Sequence, residues 1–143
     1  MANPGFERRT LGWHVTSGVV LGRPRWAHSG SWLAHLDGYG RAHVDTASQT
    51  VVVPARCRAV LSYYLWVTSS DRGRAAHDTF GVSVNGRTLV ALSNLNRGAG
   101  YVHRVLDLSR YAGQRITLTF TGRENSSLAT AFMVDDVTVT VSR

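Results

Sequence analysis

Leu61-Ser62-Tyr63-Tyr64-Leu65-Trp66-Val67 reads as a β-strand with two unlike faces. Successive side chains of a strand point to opposite sides, so Leu61, Tyr63, Leu65 and Val67 form one apolar face. Ser62, Tyr64, Trp66 and Thr68 form the other. The alternation recurs elsewhere. Ile116, Leu118 and Phe120 oppose Thr117, Thr119 and Thr121, while Phe80, Val82 and Val84 oppose Thr79, Gly81 and Ser83. Three strands are thereby expected to share a hydroxyl-rich outer face, to which Tyr64 and Trp66 add two aromatic rings.

Outward from this stretch, short alternating runs dominate and helical periodicity is almost missing. Trp13-His14-Val15 and Gly18-Val19-Val20-Leu21 form an early strand or hairpin, stopped by Arg23-Pro24. Ser31 to Leu36 follows, ended by Asp37-Gly38-Tyr39-Gly40; then come Ala47 to Val53, closed by Pro54, and Ala59 to Thr68. Asp78 to Val84 and Arg87 to Leu92 flank Asn85-Gly86, a dipeptide strongly favoured in two-residue hairpin turns. Tyr101 to Leu106, Arg115 to Thr121 and Ala131 to Val141 complete about nine strands, the pattern of a sandwich or barrel. One turn of helix is expected over 107–113, with Asp107 as its cap and Gly113 as its end. No linker, repeat or low-complexity tract interrupts residues 1–143, which read as one all-β domain.

At 143 residues and 43% hydrophobic composition the chain can bury a full core. No stretch approaches the roughly 20 apolar residues that span a bilayer, so no membrane partner is expected. Met1 runs into Asn3-Pro4-Gly5-Phe6-Glu7 without a charged start and apolar segment. For a secreted protein, the expectation is a signal lying upstream and Met1 as an added start. Cys57 is the only cysteine, which rules out an internal disulfide. All 16 basic residues are arginine, a bias that, with frequent Ala, Gly and Val, points to a high-GC bacterial genome. The net charge of +7 would attract polyanions such as nucleic acid, teichoic acid or acidic polysaccharide. The arginines are spread along the chain, whereas nucleic-acid binders more often cluster them on one helix or stripe. No specific nucleic-acid partner is expected.

Catalytic patterns are missing: there is no Gly-x-Ser-x-Gly, His-Glu-x-x-His or P-loop. His35-Leu36-Asp37 could put two polar groups on one strand face, but no paired histidine lies nearby in sequence. Asp71, Asp78 and Glu124 could meet as an acid/base pair, without support from their spacing. Cys57, at the start of a strand, reads as structural.

The order of motifs resembles a known family. Asn3-Pro4-Gly5-Phe6-Glu7 and Trp13 are followed by Ser29-Gly30-Ser31-Trp32-Leu33-Ala34-His35-Leu36, Ser48-Gln49-Thr50-Val51-Val52-Val53-Pro54-Ala55 and Leu61-Ser62-Tyr63-Tyr64-Leu65. Asp107-Leu108-Ser109-Arg110-Tyr111-Ala112-Gly113 precedes Phe132-Met133-Val134-Asp135-Asp136-Val137. This resembles the galactose-binding-like jelly-roll modules, related to carbohydrate-binding modules and appended to secreted bacterial hydrolases and peptidases, including those of actinobacteria. The resemblance covers nearly the whole chain and implies a jelly-roll β-sandwich of two antiparallel sheets. It also implies a monomeric, extracellular, non-catalytic accessory module, covalently joined to a catalytic domain and binding a glycan or polysaccharide. The alternative is a protein-interaction or stabilising domain of a secreted peptidase, with weak polyanion binding third.

The same resemblance implies a structural Ca2+ joining the chain ends, with Glu7 and Asp135 as ligands, a backbone carbonyl near Ser31 as a third, and Asp136 beside them. Calcium takes roughly 6 to 8 oxygen ligands, which suits this set. On pattern alone, one of Asp135 and Asp136 must face apolar neighbours and needs a cation or hydrogen bonds. A salt bridge to an arginine, or a carboxylate at a wet sheet edge, would serve equally.

Sugars stack their C–H faces on aromatic rings while polar groups read the hydroxyls. Tyr64 and Trp66 suit that task, and Trp26, Trp32, Tyr39 and Tyr101 are further candidates. Asn94, Asn96, Arg97 and His103 are the polar partners considered. Trp13 and Trp32 equally suit a sandwich core, and Tyr64 and Trp66 could pack under a loop.

Overall fold

The computed structural model describes residues 1–143 and contains ten strands and two short 3-10 turns. The strands are β1 (His14–Val15), β2 (Val20–Gly22), β3 (Trp32–Asp37), β4 (His43–Val52), β5 (Arg58–Ser69), β6 (Thr79–Val84), β7 (Arg87–Ser93), β8 (Val102–Asp107), β9 (Arg115–Glu124) and β10 (Thr130–Ser142). They form two five-stranded sheets, ordered β1-β4-β9-β6-β7 and β2-β3-β10-β5-β8, and every pairing is antiparallel. This is the expected jelly-roll sandwich.

The alternation of β5 works as its sequence dictates. Leu61, Tyr63, Leu65 and Val67 are buried, while Ser62, Tyr64, Trp66 and Thr68 are half-buried on the far side. Between the sheets, Phe120 of β9 receives Tyr63 edge-on at 5.3 Å and Phe80 of β6 at 6.0 Å. Phe132 of β10 packs on Phe80 at 5.5 Å. Phe6 and Trp13 extend the same core, 4.8 Å apart, so Trp13 is a core residue. Trp32 packs against the edge of that core beneath Arg9. Asn85 and Gly86 both take positive φ, 50° and 84°, the backbone of the turn their dipeptide favours.

Two expectations are corrected. The segments around Trp13–Val15 and Gly18–Leu21 are neither one strand nor a hairpin. β1 pairs with β4 and β2 with β3, so the corner at Gly18 carries the chain from one sheet to the other. That split makes ten strands. The hydroxyl rows also divide: β6 and β9 are neighbours in one sheet, and β5 belongs to the other. Each strand's own alternation is right, but the rows look out from opposite sides of the sandwich.

The turn after β8 covers Ser109–Tyr111. Leu108, not Asp107, is its N-cap residue; Asp107, one position earlier, still accepts the Ser109 N–H at 2.8 Å, and Gly113 follows the end at φ 83°.

Candidate functional site

The outer face of the β2-β3-β10-β5-β8 sheet collects most of the exposed and half-exposed aromatic side chains. Antiparallel register puts His35, Met133 and Trp66 in one row across β3, β10 and β5. It puts Asp135, Tyr64 and His103 in the next row. The β2–β3 connection folds over these rows. Trp26 stacks on His35 at 5.6 Å, and His28 lies 3.6 Å from Tyr64, nearly parallel. Tyr101 meets Trp66 edge-on at 5.7 Å and donates its hydroxyl to the Trp26 carbonyl at 2.6 Å. Trp66 Nε1 donates to the Gly98 carbonyl at 2.9 Å, which fixes the indole's orientation.

Of the aromatic residues singled out from sequence, Tyr64, Trp66, Trp26 and Tyr101 come together here. Their exposures differ in kind. Both faces of Tyr64 are covered, by His28 and by His103 at 4.7 Å. Trp26 remains 42% exposed. Burial, followed by the charges of Asp135 and Asp136, pushes the Tyr101 hydroxyl well above its ordinary range, so it stays a proton donor. Burial pushes the His35 imidazole down, which makes it a neutral stacking partner for Trp26.

A shallow groove runs along the end of β5. One section, about 310 Å³, is lined by His35, Gly38, Thr68, Ser69, Ser70, Ala129 and Ala131. The adjoining section, about 520 Å³, shares Thr68 and Ser69 and adds Arg72, Arg97, Gly98 and Ala99. Arg97 lines this section next to Gly98, whose carbonyl holds the Trp66 indole. Tyr39 is not: it packs on His43 at 4.1 Å, under Arg41, at the acidic end of the sandwich. Asn94 and Asn96 are also elsewhere engaged. Asn94 accepts the His77 and Asp78 N–H groups through Oδ1, and Asn96 closes a capping box with Ser93.

Next to the aromatic rows, the chain ends are clasped by carboxylates. Asp135 is fully buried; its Oδ2 accepts the His28 N–H at 2.9 Å and the Ser29 N–H at 3.3 Å, and its Oδ1 accepts the Asp136 N–H at 2.8 Å. A register shift between Asp135 and Thr138, with Asp136 at φ 49°, breaks the strand alternation. Val137 can then enter the core and donate its N–H to the Pro4 carbonyl at 2.9 Å. Asp136 bonds Ser29 Oγ at 2.7 Å and His28 Nδ1 at 2.6 Å. Glu7 Oε1 accepts the N–H groups of Ser31 at 2.9 Å and Trp32 at 3.0 Å, while the Ser31 carbonyl accepts the Arg23 N–H at 2.7 Å. Desolvation pushes the Asp135 carboxyl up to about 7, partly offset by the Asp136 amide. No arginine neutralises it: the three close contacts between basic and acidic side chains in the protein all join histidine to aspartate.

The clasp of Glu7, Ser31, Asp135 and Asp136 lies around Gly5 and Gly30, but its carboxylates are each held by amide, hydroxyl or imidazole groups and do not converge on one point. Its oxygen-rich donor set and under-neutralised buried carboxylate suit a hard cation, although Glu7 is turned onto backbone amides. One trio of metal-ligating side chains has all its ligand atoms within 4.8 Å of one another, and it lies elsewhere, at Asp37, His43 and Asp45. Sequence reading missed that trio, as it missed His28, His35 and Arg72 as groove and stacking residues. His28 and Arg72 lie in loops, where no periodicity fixes a direction. Asp78 and Glu124 do meet, both bonding Thr130, whereas Asp71 pairs with His77.

No protein-family model matches the chain, and no curated protein matches it either. Solved structures do. The TmCBM61 module, determined in complex with beta-1,4-galactotriose, is similar with a TM-score of 0.71 at 18% identity, covering 99% of this chain and 97% of that one. The K3 cleaved adhesin domain of Lys-gingipain from Porphyromonas gingivalis matches with a TM-score of 0.65 at 11% identity, covering 96% of each chain. The CBM22-1 xylan-binding domain from Paenibacillus barcinonensis Xyn10C gives 0.57 at 19% identity, covering 96% of this chain and 90% of that one. The protein accordingly has the jelly-roll β-sandwich fold seen in carbohydrate-binding modules.

Proposed function

We propose that the protein is a non-catalytic glycan-binding accessory module, with its ligand on the outer face of the β2-β3-β10-β5-β8 sheet. The observation that carries this is the convergence of Trp26, Trp66 and Tyr101 beside a groove lined by Thr68, Ser69, Arg72 and Arg97. Apolar rings flanked by hydroxyls and guanidinium groups are what a sugar's two kinds of surface require. Tyr64, held between two imidazoles, supports the face from below. Covalent attachment to a secreted bacterial enzyme, with the module itself monomeric, accords with this reading. A glycan and polysaccharide array at two salt concentrations tests it. Saturable binding that survives the higher salt and is lost in Trp66→Ala supports it. Binding that collapses with salt and ignores Trp66 would leave only polyanion attraction.

We further propose that the clasp of Asp135, Asp136, Glu7 and the Ser31 carbonyl takes a structural Ca2+, which would supply the positive charge that buried Asp135 lacks. Chelation is then expected to lower Tm, and Ca2+ to restore it. Equal melting with EDTA and with Ca2+ would end the idea.

A second reading, a protein-interaction or stabilising domain, rests on exposed Val60, Val102 and Val105 along β5 and the edge strand β8. It predicts no glycan hit and loss of a protein partner on Val105→Arg.

A further inference from the structure

At the end of the sandwich away from the chain-end clasp, five charged or titratable groups from four elements converge. Asp37 closes β3, His43 and Asp45 open β4, Glu124 ends β9, and Asp78 directly precedes β6. Asp37, Asp45, Asp78 and Glu124 are all buried.

Three of these carboxylates have donors. Glu124 accepts the N–H groups of Tyr39 at 2.7 Å, Gly40 at 3.1 Å and Thr130 at 3.2 Å. Asp78 accepts the Asn125 N–H at 2.8 Å and the Thr130 hydroxyl at 2.6 Å. Asp45 accepts the Asp37 N–H at 2.8 Å and faces His43 Nε2 at 2.7 Å.

Asp37 is different. It is 2% exposed, and neither of its carboxylate oxygens has a hydrogen-bond partner. A buried carboxylate without donors costs several kcal/mol, so something not made of protein is expected to meet it. Its backbone adds a second cost, because φ is 62°, in the left-handed region that favours glycine. The opposing strand makes room for the group: a Cβ on Gly122 of β9 would overlap Asp37 Oδ2.

We infer that Asp37, His43 and Asp45 form a second cation site, distinct from the chain-end clasp, which takes a divalent first-row transition ion such as Zn2+. Their ligand atoms all lie within 4.8 Å of one another. An imidazole beside two carboxylates favours a transition ion, whereas calcium draws on oxygen alone. Glu124 and Asp78 stand behind the trio as further negative charge. The ion would sit between His43 Nε2 and Asp45 Oδ1, in place of the 2.7 Å hydrogen bond that joins them. It would tie the ends of β3 and β4, which belong to opposite sheets, and so hold the Tyr39 loop and one end of the groove.

The test is calorimetric and thermal titration of the chelator-treated full chain with ZnCl2, and separately with CaCl2. One saturable Zn2+ site is expected, with Tm raised by roughly 5–10 °C at a hundredfold excess over Kd. His43→Gln, at a half-exposed position, should weaken Zn2+ binding at least tenfold without unfolding the chain. Asp37→Gly should do the same, and its backbone suits glycine, so the metal-free variant should melt no lower than the parent. Glu7→Gln should leave Zn2+ binding unchanged. The inference is overturned by no saturable Zn2+ binding, by wild-type affinity in His43→Gln or Asp37→Gly, or by Ca2+ binding that depends on Asp37 but ignores His43.

Discussion

His28 lies face to face on Tyr64, ring centroids 3.6 Å apart, while its Nδ1 sits 2.6 Å from Asp136 Oδ2. One imidazole therefore joins the aromatic face to the chain-end clasp. It also covers the ring that sequence pattern alone offers as a sugar platform. His28→Ala is expected to uncover Tyr64 and to lower stability by about 1 kcal/mol through loss of the stack. If Tyr64 is only a support, glycan affinity should change less than threefold; a tenfold gain would make it a platform. Titration of one oligosaccharide hit against both proteins decides this.

Trp66→Ala and a triple change on the other sheet should separate the two hydroxyl-bearing faces. Trp66→Ala is expected to weaken glycan binding at least tenfold. Alanine at Thr117, Thr119 and Thr121 should leave it unchanged, because β9 lies in the opposite sheet. Calorimetry with a single oligosaccharide is the check, and a loss in the triple variant would move the site across the sandwich.

Gly30 sits at φ 61°, and a Cβ there would overlap the Glu7 carboxylate. Gly30→Ala should cost roughly 1–3 kcal/mol, from backbone strain and displacement of Glu7. Combined with Glu7→Ala the two changes should be less than additive, since the clash disappears with the side chain. Urea denaturation of the four proteins measures the coupling.

Phe120 touches Trp13, Tyr63 and Phe80 from the middle of its sheet. Phe120→Ala is expected to lose roughly 3–5 kcal/mol, the usual cost of deleting a buried ring. A midpoint shift in urea at unchanged slope would confirm it as core packing.

Burial pushes the Tyr63 hydroxyl up to about 12, and Tyr101 is raised as well. The folded state thus holds these protons more tightly than the unfolded chain does. Tyr63's contribution is fully present below its unfolded pKa near 10 and is lost as pH rises through about 12. Tyr63→Phe should flatten the alkaline fall in Tm. An absorbance titration should show Tyr63 and Tyr101 ionising late, and a fall equally steep in Tyr63→Phe would remove the assignment.

The alternation along 61–67, 80–84 and 116–120 was enough to fix which side chains of each strand are buried. A buried strand face has no other way to leave water, so period-two patterning is a local statement of burial. The Asn85-Gly86 turn and the Asp107–Gly113 segment were legible for the same reason, because backbone preference at those residues is local. What could not be read was which sheet each strand joins. Hydrogen bonds between strands carry no residue-specific label, so nothing in Thr119 or Trp66 says that they face opposite ways. Nor does spacing show that Asp37, His43, Asp45, Asp78 and Glu124 meet. Asp37 and Glu124 are 87 positions apart and come together only because β3 and β9 lie in facing sheets. The sequence by itself thus determined an all-β sandwich or barrel with a defined core, and its order of motifs added the resemblance to jelly-roll modules. Only the tertiary structure decided which side carries the rings, how Glu7 and Asp135 close the chain ends, and where four carboxylates are forced to share one buried space.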